Sequence, residues 1–416
     1  MYSSFIIIGR FFSFYESLII AIIIICMKVL FVLNNFYSQG NGLCGSARRT
    51  VKKLLDQGIE VKILSGANTD INGPQPDFSL KDLKIFGFQK LIRQHGYQFS
   101  KVDKNTIREA VSWADIIHVE EPFFVQVAAC KVAEELNKPI VGTYHLHPEN
   151  IFASLGLEKS SLCNLSLLKL WKKYVFDKCL ILQCPTENVK ERLIRRKFKS
   201  ELRVISNGLV MEELLTKKDV ESASKIGDAK YRIITIGRFA EEKDLSTLLN
   251  AMNYSKHSQE IRLIFAGQGP QKKKLVKLAN KMVESGVIKY PPIFGFYSLR
   301  ELQELSCSVD LYIHCAYIEV EGLSCMEAIQ VGIVPIIAKG KHTATSQFAL
   351  SENSVFEEKN AKDLAAKIDY WLDNDELRKI EAEKYIGLGN KYNIDNSIQE
   401  IIKMYNDAIE LKARQK

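Results

Sequence analysis

The chain of 416 residues has no pair of cysteines at the C-x-x-C spacing, which excludes the common zinc-binding and dithiol redox motifs. Its nine cysteines are an odd number and are scattered from Cys26 to Cys325. A chain of this length buries a sufficient core without disulfides. We therefore interpret these cysteines as small apolar residues in a reducing compartment.

Long hydrophobic runs are also lacking near the N-terminus. The apolar run Leu18–Cys26 has nine residues, whereas a membrane-spanning helix needs about 20. No small-residue cleavage site of a signal peptide is evident. We interpret residues 1–26 as a hydrophobic extension or a mis-set start, with an N-terminal membrane anchor as the alternative, and expect folding to begin near Met27.

Acidic residues are only slightly outnumbered, since 57 Lys and Arg against 49 Asp and Glu give a formal net charge of +8. A surplus this small is weak support for a nucleic-acid partner, and we expect none. The shares of charged and hydrophobic residues, 25% and 46%, are those of a globular protein and exclude a disordered chain or a polytopic membrane protein.

Most of the positive surplus lies in residues 168–203, which contain eleven basic and four acidic residues. Apolar residues recur beside these lysines at helical spacing, which is typical of a basic amphipathic helix. Two interpretations stay open: attachment to an anionic membrane surface, and a solvated helix whose apolar stripe belongs to the core. The apolar residues are Leu162, Leu165, Leu168, Trp171 and Val175, and the candidate membrane or acceptor-side residues are Lys169, Lys172, Lys173, Arg195 and Arg196.

Short apolar runs typical of buried strands alternate with helical patterns along the chain. Strands of four to six residues that alternate with helices predict parallel sheets in two separate α/β units. We expect an N-terminal unit over residues 27–215, a polar linker over 216–230 and a C-terminal unit over 231–390. The first strand is predicted at Val29–Leu33.

The segment Gly40–Gly45 fits the pattern G-x-G-x-x-G ahead of a helix. It lies six residues beyond the first strand, whereas a dinucleotide-binding loop turns almost directly off its strand. A glycine loop before a helix still offers backbone N–H groups to a phosphate. A flexible loop without a ligand is the alternative.

His145 follows the strand that ends near Thr143, with His147 two residues later. No third ligand stands at a diagnostic spacing, so a metal site is not expected. Ligands bind at the carboxyl ends of parallel strands, which makes His145 a candidate site residue. A structural histidine remains the alternative.

Two further strand ends carry charged or glycine-rich turns. Arg238 and Lys243 flank a turn that enters a helix, and two fixed cations at a helix start suit a diphosphate. Gly267 lies in the Gly-Gln-Gly-Pro turn after the next predicted strand. Taken alone, the first motif could be an exposed charged pair without a ligand, and the second could be only a tight turn.

The most specific pattern places Glu319 and Glu327 eight residues apart, with Gly322 and Leu323 between them and an apolar helix following. Ionised carboxylates make strong hydrogen bonds to hydroxyl donors. Two of them near one loop predict a site for several sugar hydroxyls.

The order of these motifs, from the glycine loop through T-Y-H, S-N-G, G-R-x-x-x-x-K and A-G-x-G-P to E-x-x-G-L-x-x-x-E, resembles a known family. It is similar to the retaining glycosyltransferases of the GT-B fold (family 4-like, "glycosyl transferases group 1"), which include sucrose synthases and mannosyltransferases of phosphatidylinositol. The resemblance runs from about Met27 to the C-terminus. Cys44-Gly45 stands where the family usually has Gly-Gly, and Glu321 where it often has an aromatic residue.

The resemblance implies two Rossmann-like α/β/α domains that face each other across a cleft, with residues 391–416 forming a helix that crosses back to the N-terminal domain. It also implies metal-independent, retaining transfer of a hexose or N-acetylhexosamine from a nucleotide sugar, UDP being favoured, to a lipid-linked, glycolipid or polysaccharide acceptor. No cofactor is expected. The protein would be cytoplasmic and peripheral on the inner face of the membrane.

The implied site roles follow the family's motifs residue by residue. His145 and Glu319 would act on the transferred sugar, Glu327 would bind the ribose, and Arg238 and Lys243 would neutralise the leaving diphosphate. The other implied donor-binding residues are Gly45, Gly267, Gly322 and Leu323. Two alternatives remain: an NAD-dependent oxidoreductase that uses the Gly40–Gly45 loop, and a non-catalytic protein that binds sugar nucleotides.

Overall fold

The protein is described by a computed structural model over residues 27–38, 41–84, 89, 98–211 and 227–415. The extension at 1–26, Gly40 and most of the expected linker, 216–226, lie outside the described residues. Parallel strands form two large sheets flanked by helices, which confirms the predicted α/β class.

The N-terminal domain is built on a seven-stranded sheet in the order β3-β2-β1-β4-β5-β6-β7. The order brings the carboxyl ends of β4 and β5 side by side, beside β1. Its strands and helices are β1 (Lys28–Val32), α1 (Gly42–Asp56), β2 (Glu60–Gly66), β3 (Phe78–Leu80), α2 (Lys104–Trp113), β4 (Ile116–Val119), α3 (Phe124–Glu135), β5 (Ile140–Thr143), α4 (Pro148–Ala153), α5 (Ser161–Tyr174), β6 (Ile181–Cys184), α6 (Glu187–Arg195) and β7 (Glu201–Val204).

The C-terminal domain has a six-stranded parallel sheet in the order β10-β9-β8-β11-β13-β15, and β12 pairs separately with β14. The site motifs after β8, β9 and β11 therefore share one edge of this sheet. Its elements are β8 (Tyr231–Ile236), α7 (Leu245–Ala251), β9 (Ile261–Ala266), α8 (Lys272–Glu284), β10 (Ile293–Gly295), α9 (Leu299–Cys307), β11 (Leu311–His314), β12 (Ile318–Glu319), α10 (Leu323–Gln330), β13 (Val334–Lys339), β14 (His342–Thr343), β15 (Val355–Glu357), α11 (Ala361–Asp373) and α12 (Asp375–Gly389).

Local chemistry explains these elements. The central strands β1, β4 and β5 are buried on both faces, as helix-covered parallel strands require. Helix α1 begins at the side chain of Asn41, which accepts the N–H of Leu43. A full capping box, in which Ser298 and Glu301 bind each other's backbone N–H, begins α9.

The chain passes between the domains at two adjacent places. The N–H of Leu209 donates to the carbonyl of Tyr392 at 2.7 Å, and the N–H of Ile394 donates to the carbonyl of Leu209 at 2.8 Å. The last helix, α13 (Ile394–Ala413), then packs Tyr405 and its other apolar residues into the N-terminal core beside Phe31. The two domains are thus joined at a double crossing, where the segment at Leu209 pairs with the segment at Asn393.

Candidate functional site

The N-terminal side of the site begins at α1. Gly42 and Gly45 lie in its first turn rather than in an open loop, and the N–H of Gly45 donates to the carbonyl of Asn41 at 3.0 Å. The alternative of a flexible loop therefore does not apply to Gly42 and Gly45, because the Asn41 cap starts the helix ahead of them. What this segment offers a ligand is therefore a capped helix start.

His145 lies just beyond β5, and its imidazole is almost buried, with 6% of the side chain exposed. Its Nε2 donates to Oε2 of Glu120 at 2.5 Å. Glu120 follows β4, the neighbouring strand, and is itself buried. Glu120 was not among the predicted site residues, although it follows the end of a strand, as His145 does.

The cations of the C-terminal domain both have carboxylate partners. Arg238 Nη2 donates to Glu242 Oε1 at 2.5 Å, and Lys243 Nζ donates to Glu319 Oε2. The Lys243–Glu319 pair joins the turn after β8 to β12, so the structure brings together two predicted site residues that stand 76 positions apart. His314, at the end of β11, lies 3.6 Å from the same carboxylate.

These contacts determine the charge on Glu319. Burial alone would raise its pKa, but Lys243 and His314 outweigh burial and hold the pKa of Glu319 well below its usual range. Glu319 is therefore an ionised hydrogen-bond acceptor near neutral pH. Nothing in the sequence marked His314 as its second partner.

Two glycines make the backbone geometry at this edge possible. A Cβ on Gly267 would lie 1.9 Å from the carbonyl oxygen of Gly237, so the turns after β8 and β9 approach each other only without a side chain. Gly322 has a φ of +96° and precedes α10, and a Cβ there would lie 2.5 Å from Thr345 Oγ1. Leu323 is the first residue of α10. The chain can therefore enter α10 with this geometry only because residue 322 has no side chain.

Glu327, one turn into α10, is separate from the Lys243–Glu319 pair. Burial raises the pKa of Glu327, and the positive charge of Arg49 opposes that shift. Arg49 belongs to α1 of the other domain, one turn beyond Gly45, and its Nε and Nη2 are buried with no hydrogen-bond partner among the described residues. The positive charge of a guanidinium in one domain therefore acts on a ribose-site candidate in the other. Arg49 was not among the predicted site residues, although it stands four residues after Gly45.

Glu321, the residue at which the sequence departs from the family pattern, is fully buried at the domain crossing. Its carboxylate accepts a hydrogen bond from Ser206 Oγ at 2.5 Å and another from the side-chain Nδ2 of Asn207, also at 2.5 Å. These two partners precede Gly208, whose Cβ position is blocked by the backbone of Ile394. Glu321 thus links the loop of the donor-side motif to the segment that connects the domains.

The basic segment is only partly as predicted. Leu168, Trp171 and Val175 are buried in the N-terminal core, so the predicted apolar stripe is mainly structural. Leu162, the first residue of the stripe, is 78% exposed on α5, and so are two apolar residues outside the stripe, Leu170 by 53% and Tyr174 by 44%.

The lysines of this segment gather on one surface. Lys169, Lys172 and Lys173, together with Asp177, Lys178 and Lys199, line a cavity of about 400 Å³. Arg195 and Arg196, at the end of α6, are exposed and do not line it. We call the five lysines of this cavity the lysine patch. In the described ranges, each helix is too short or too polar to cross a bilayer.

Comparison with known proteins identifies the chain. Residues 41–213 match the family model Glycosyltransferase Family 4, and residues 216–385 match the model Glycosyl transferases group 1. The chain belongs to the group 1 glycosyltransferases. The predicted family is therefore confirmed, and no observation favours the NAD-dependent oxidoreductase.

Two curated proteins are similar in sequence to this glycosyltransferase, and the name of the first one includes a glycolipid. It is 26% identical over 337 residues to the alpha-monoglucosyldiacylglycerol synthase of Streptococcus pneumoniae, an alignment that covers 76% of this chain and 71% of that enzyme. It is 26% identical over 236 residues to the sulfoquinovosyl transferase SQD2 of Arabidopsis thaliana, covering 54% and 42% of the two chains.

Solved structures confirm the predicted GT-B fold. The sucrose-phosphate synthase of Thermosynechococcus elongatus superimposes with a TM-score of 0.69 at 14% identity, over 92% of this chain and 100% of that one. HepE of Anabaena, in complex with UDP and glucose, superimposes with a TM-score of 0.66 at 14% identity, over 91% and 99%.

Proposed function

We propose that this glycosyltransferase moves a hexose, with glucose as the first candidate, from a UDP-sugar to a diacylglycerol-type lipid at a membrane surface, with retention of the anomeric configuration. The observation that carries the proposal is the charged cluster of Arg238, Lys243 and Glu319 beside the helix start at Gly322. The names of the relatives support the lipid acceptor and the glucosyl group.

The donor would lie across the cleft with its diphosphate at the C-terminal domain. Lys243 and Arg238 would neutralise the leaving diphosphate, and the N–H groups at the start of α10 would add a positive helix end. Glu242 and Glu319 hold both cations in place before the donor arrives. Fixed cations of this kind are preorganised electrostatic catalysts, so a metal ion is not required in this proposal.

The nucleotide end would be held between the domains. Glu327 would accept the ribose hydroxyls, and Arg49 would reach the same nucleotide from α1. A guanidinium whose Nε and Nη2 have no partner among the described residues, and a carboxylate on which its charge acts, are suited to a ribosyl phosphate, since one donates to phosphate and the other accepts from hydroxyls. Donor binding would then draw the N-terminal helix and the C-terminal site together.

For the chemical step, we propose departure of UDP and attack by the acceptor on the same face of the sugar. Glu319 is not free to serve as a nucleophile, because its carboxylate is held by Lys243 and faces His314. A diphosphate oxygen would take the proton of the acceptor hydroxyl. The contribution of the protein would then be positioning and charge stabilisation.

The acceptor side would be the N-terminal domain, with α5 at the bilayer surface. Leu162, Leu170 and Tyr174 would enter the interface, and the lysine patch would face anionic lipids. Each cation near an anionic surface adds about 1 kcal/mol of binding free energy. This arrangement would bring a membrane-resident acceptor to the cleft.

A thermal-shift panel of UDP-glucose, UDP-N-acetylglucosamine, GDP-mannose, ADP-glucose and NAD tests the donor, because a bound ligand raises the melting temperature. UDP-glucose is expected to give the largest shift and NAD none. Product formed from UDP-glucose and diacylglycerol vesicles is then analysed by NMR, where an α-glucoside indicates retention. A β-glucoside, loss of activity in EDTA, or transfer only to soluble glycans would each contradict the corresponding part of the proposal.

Membrane attachment is tested by sedimentation with phosphatidylglycerol-containing vesicles, using protein without residues 1–26. Binding is expected at low salt and is expected to weaken in the triple variant Lys169/Lys172/Lys173→Ala. The matched control is Lys272/Lys273/Lys274→Ala, which removes three exposed lysines from α8 of the other domain. Equal binding of the two variants would refute a role for the lysine patch.

A further inference from the structure

We propose that Glu120 is a positioning residue for His145, holding Nε2 of the imidazole so that Nδ1 is presented to the sugar in the cleft. This inference rests on the proposed function, because it assigns His145 to the transferred sugar. It adds a buried residue of the N-terminal domain to the machinery of transfer.

The proton positions around Glu120 follow from a chain of hydrogen bonds. Gln183 Nε2 donates to the carbonyl of Ile205 at 3.0 Å, which turns its Oε1 toward Thr143. The Thr143 hydroxyl donates to that oxygen at 3.0 Å. Its own oxygen must therefore accept at 2.8 Å from His118 Nε2, since a hydroxyl has one proton to give.

Both ring nitrogens of His118 thereby have a hydrogen-bond partner. Its Nε2–H goes to Thr143, and its Nδ1 accepts from the Tyr405 hydroxyl of α13 at 2.7 Å. Burial lowers the pKa of His118 to about 4, which keeps this ring neutral near neutral pH. Its Nε2 lies 3.4 Å from Glu120 Oε1, a longer contact than the one to Thr143.

Glu120 consequently depends on His145. Its carboxylate is 3% exposed, and an ionised carboxylate so buried is costly without a strong donor. His145 Nε2–H is that donor, at 2.5 Å. Burial opposes ionisation, yet the two histidines hold the pKa of Glu120 below its usual range.

The other nitrogen of His145 is left for a ligand. Across the described ranges, its Nδ1 has no hydrogen-bond partner in the protein. Burial raises the pKa of Glu321 in the C-terminal domain, and the charge of the His145 ring is among the influences that oppose this rise. The imidazole therefore has one nitrogen fixed by Glu120 and the other left for a ligand. Fixing a ring in this way matters because a misplacement of about 1 Å costs about a hundredfold in rate.

Kinetics with UDP-glucose and diacylglycerol vesicles test the proposal. Glu120→Ala is expected to lower kcat by about ten- to a hundredfold while the KM and the UDP dissociation constant stay within about twofold. Glu120→Gln is expected to recover most of the loss, because an amide oxygen still accepts from Nε2–H. Glu121→Gln is the matched control: this neighbouring buried carboxylate binds Asn34 instead, and kcat is expected to be retained.

The double variant Glu120→Ala/His145→Ala separates positioning from a general structural effect. If Glu120 acts through His145, the double variant is expected to be no slower than His145→Ala alone. The proposal would be overturned if the kcat losses of the two single variants multiplied in the double variant. It would also be overturned by an unchanged kcat in Glu120→Ala, or by a loss in that variant that is confined to UDP affinity. If the wild type neither binds nor uses UDP-glucose, the proposed function fails first.

A second measurement does not depend on turnover or on the alanine variant folding. In protein labelled with [15N]histidine, the His145 Nε2 proton is expected to be observable in the wild type and in Glu120→Gln. A wild-type His145 protonated only at Nδ1 would overturn the proposal whatever the kinetics.

Discussion

Gly45→Ala is expected to make the protein more stable and less active at once. Gly45 has helical backbone geometry in α1, and the nearest atom to a Cβ built there is Arg49 Nη1, at 3.9 Å. Alanine therefore fits without strain. It is favoured over glycine inside a helix by about 0.5–1 kcal/mol, because glycine loses more conformational freedom on folding.

The two expected effects have different sizes. For a domain of about 190 residues, a gain of that size raises the melting temperature by about 1–4 °C. The same methyl group would stand where the proposed donor passes α1, and overpacking by a methyl costs about 1–3 kcal/mol. UDP-glucose affinity is therefore expected to fall by roughly five- to a hundredfold.

Differential scanning fluorimetry and isothermal titration with UDP-glucose measure both effects on one sample. Gly387→Ala is the matched control: Gly387 also lies within a helix, α12, with no atom within 4 Å of its Cβ position. It is expected to gain stability and to keep donor affinity. A Gly45→Ala variant that binds UDP-glucose as well as the wild type would refute the donor-facing role. One that melts earlier would refute the helical explanation of this segment.

Arg238→Ala or Lys243→Met is expected to lower kcat about a hundredfold, because each removes a preorganised charge from the leaving diphosphate; full activity in either would contradict that role. Glu327→Gln is expected to weaken UDP binding in isothermal titration, whereas Glu319→Gln spares it and slows transfer; equal losses of UDP affinity would contradict the division between ribose and sugar. Because the folded-state pKa of Glu319 is depressed, its ionisation stabilises the fold above the unfolded pKa of 4.5 and this stability is lost as pH falls below it. The wild-type melting temperature is therefore expected to drop more steeply than that of Glu319→Gln between about pH 5 and pH 3, and parallel curves would argue against the Lys243 pairing.

Helices and strands were predictable wherever apolar periodicity was strong. The strand near Val29 followed from its local run of apolar residues. Short edge strands such as β3 and β7 were missed, because three or four residues with partly exposed faces carry little periodicity. The stripe through Leu168 and Trp171 was ambiguous for a related reason: helical spacing shows that residues share a face, and only packing shows which face is covered.

The donor-side candidates came from motifs at strand ends, since parallel strands collect their carboxyl ends at one edge. Which strands are neighbours is a property of the sheet order, and that order is not written in any local stretch. The pairing of Lys243 with Glu319, and of Glu120 with His145, follows from β8 lying beside β11 and β4 beside β5.

Composition and periodicity by themselves determined the α/β class, and the order of motifs pointed to the family, because these depend on residue types at short spacing. Tertiary structure decided which charges meet. Tertiary structure placed the charge of Arg49 where it acts on Glu327, placed the Glu321 carboxylate against Asn207 at the domain crossing, and gave both ring nitrogens of His118 a hydrogen-bond partner. Such contacts depend on the angle and distance between domains and on hydrogen bonds between residues up to 287 positions apart, and no local pattern encodes them.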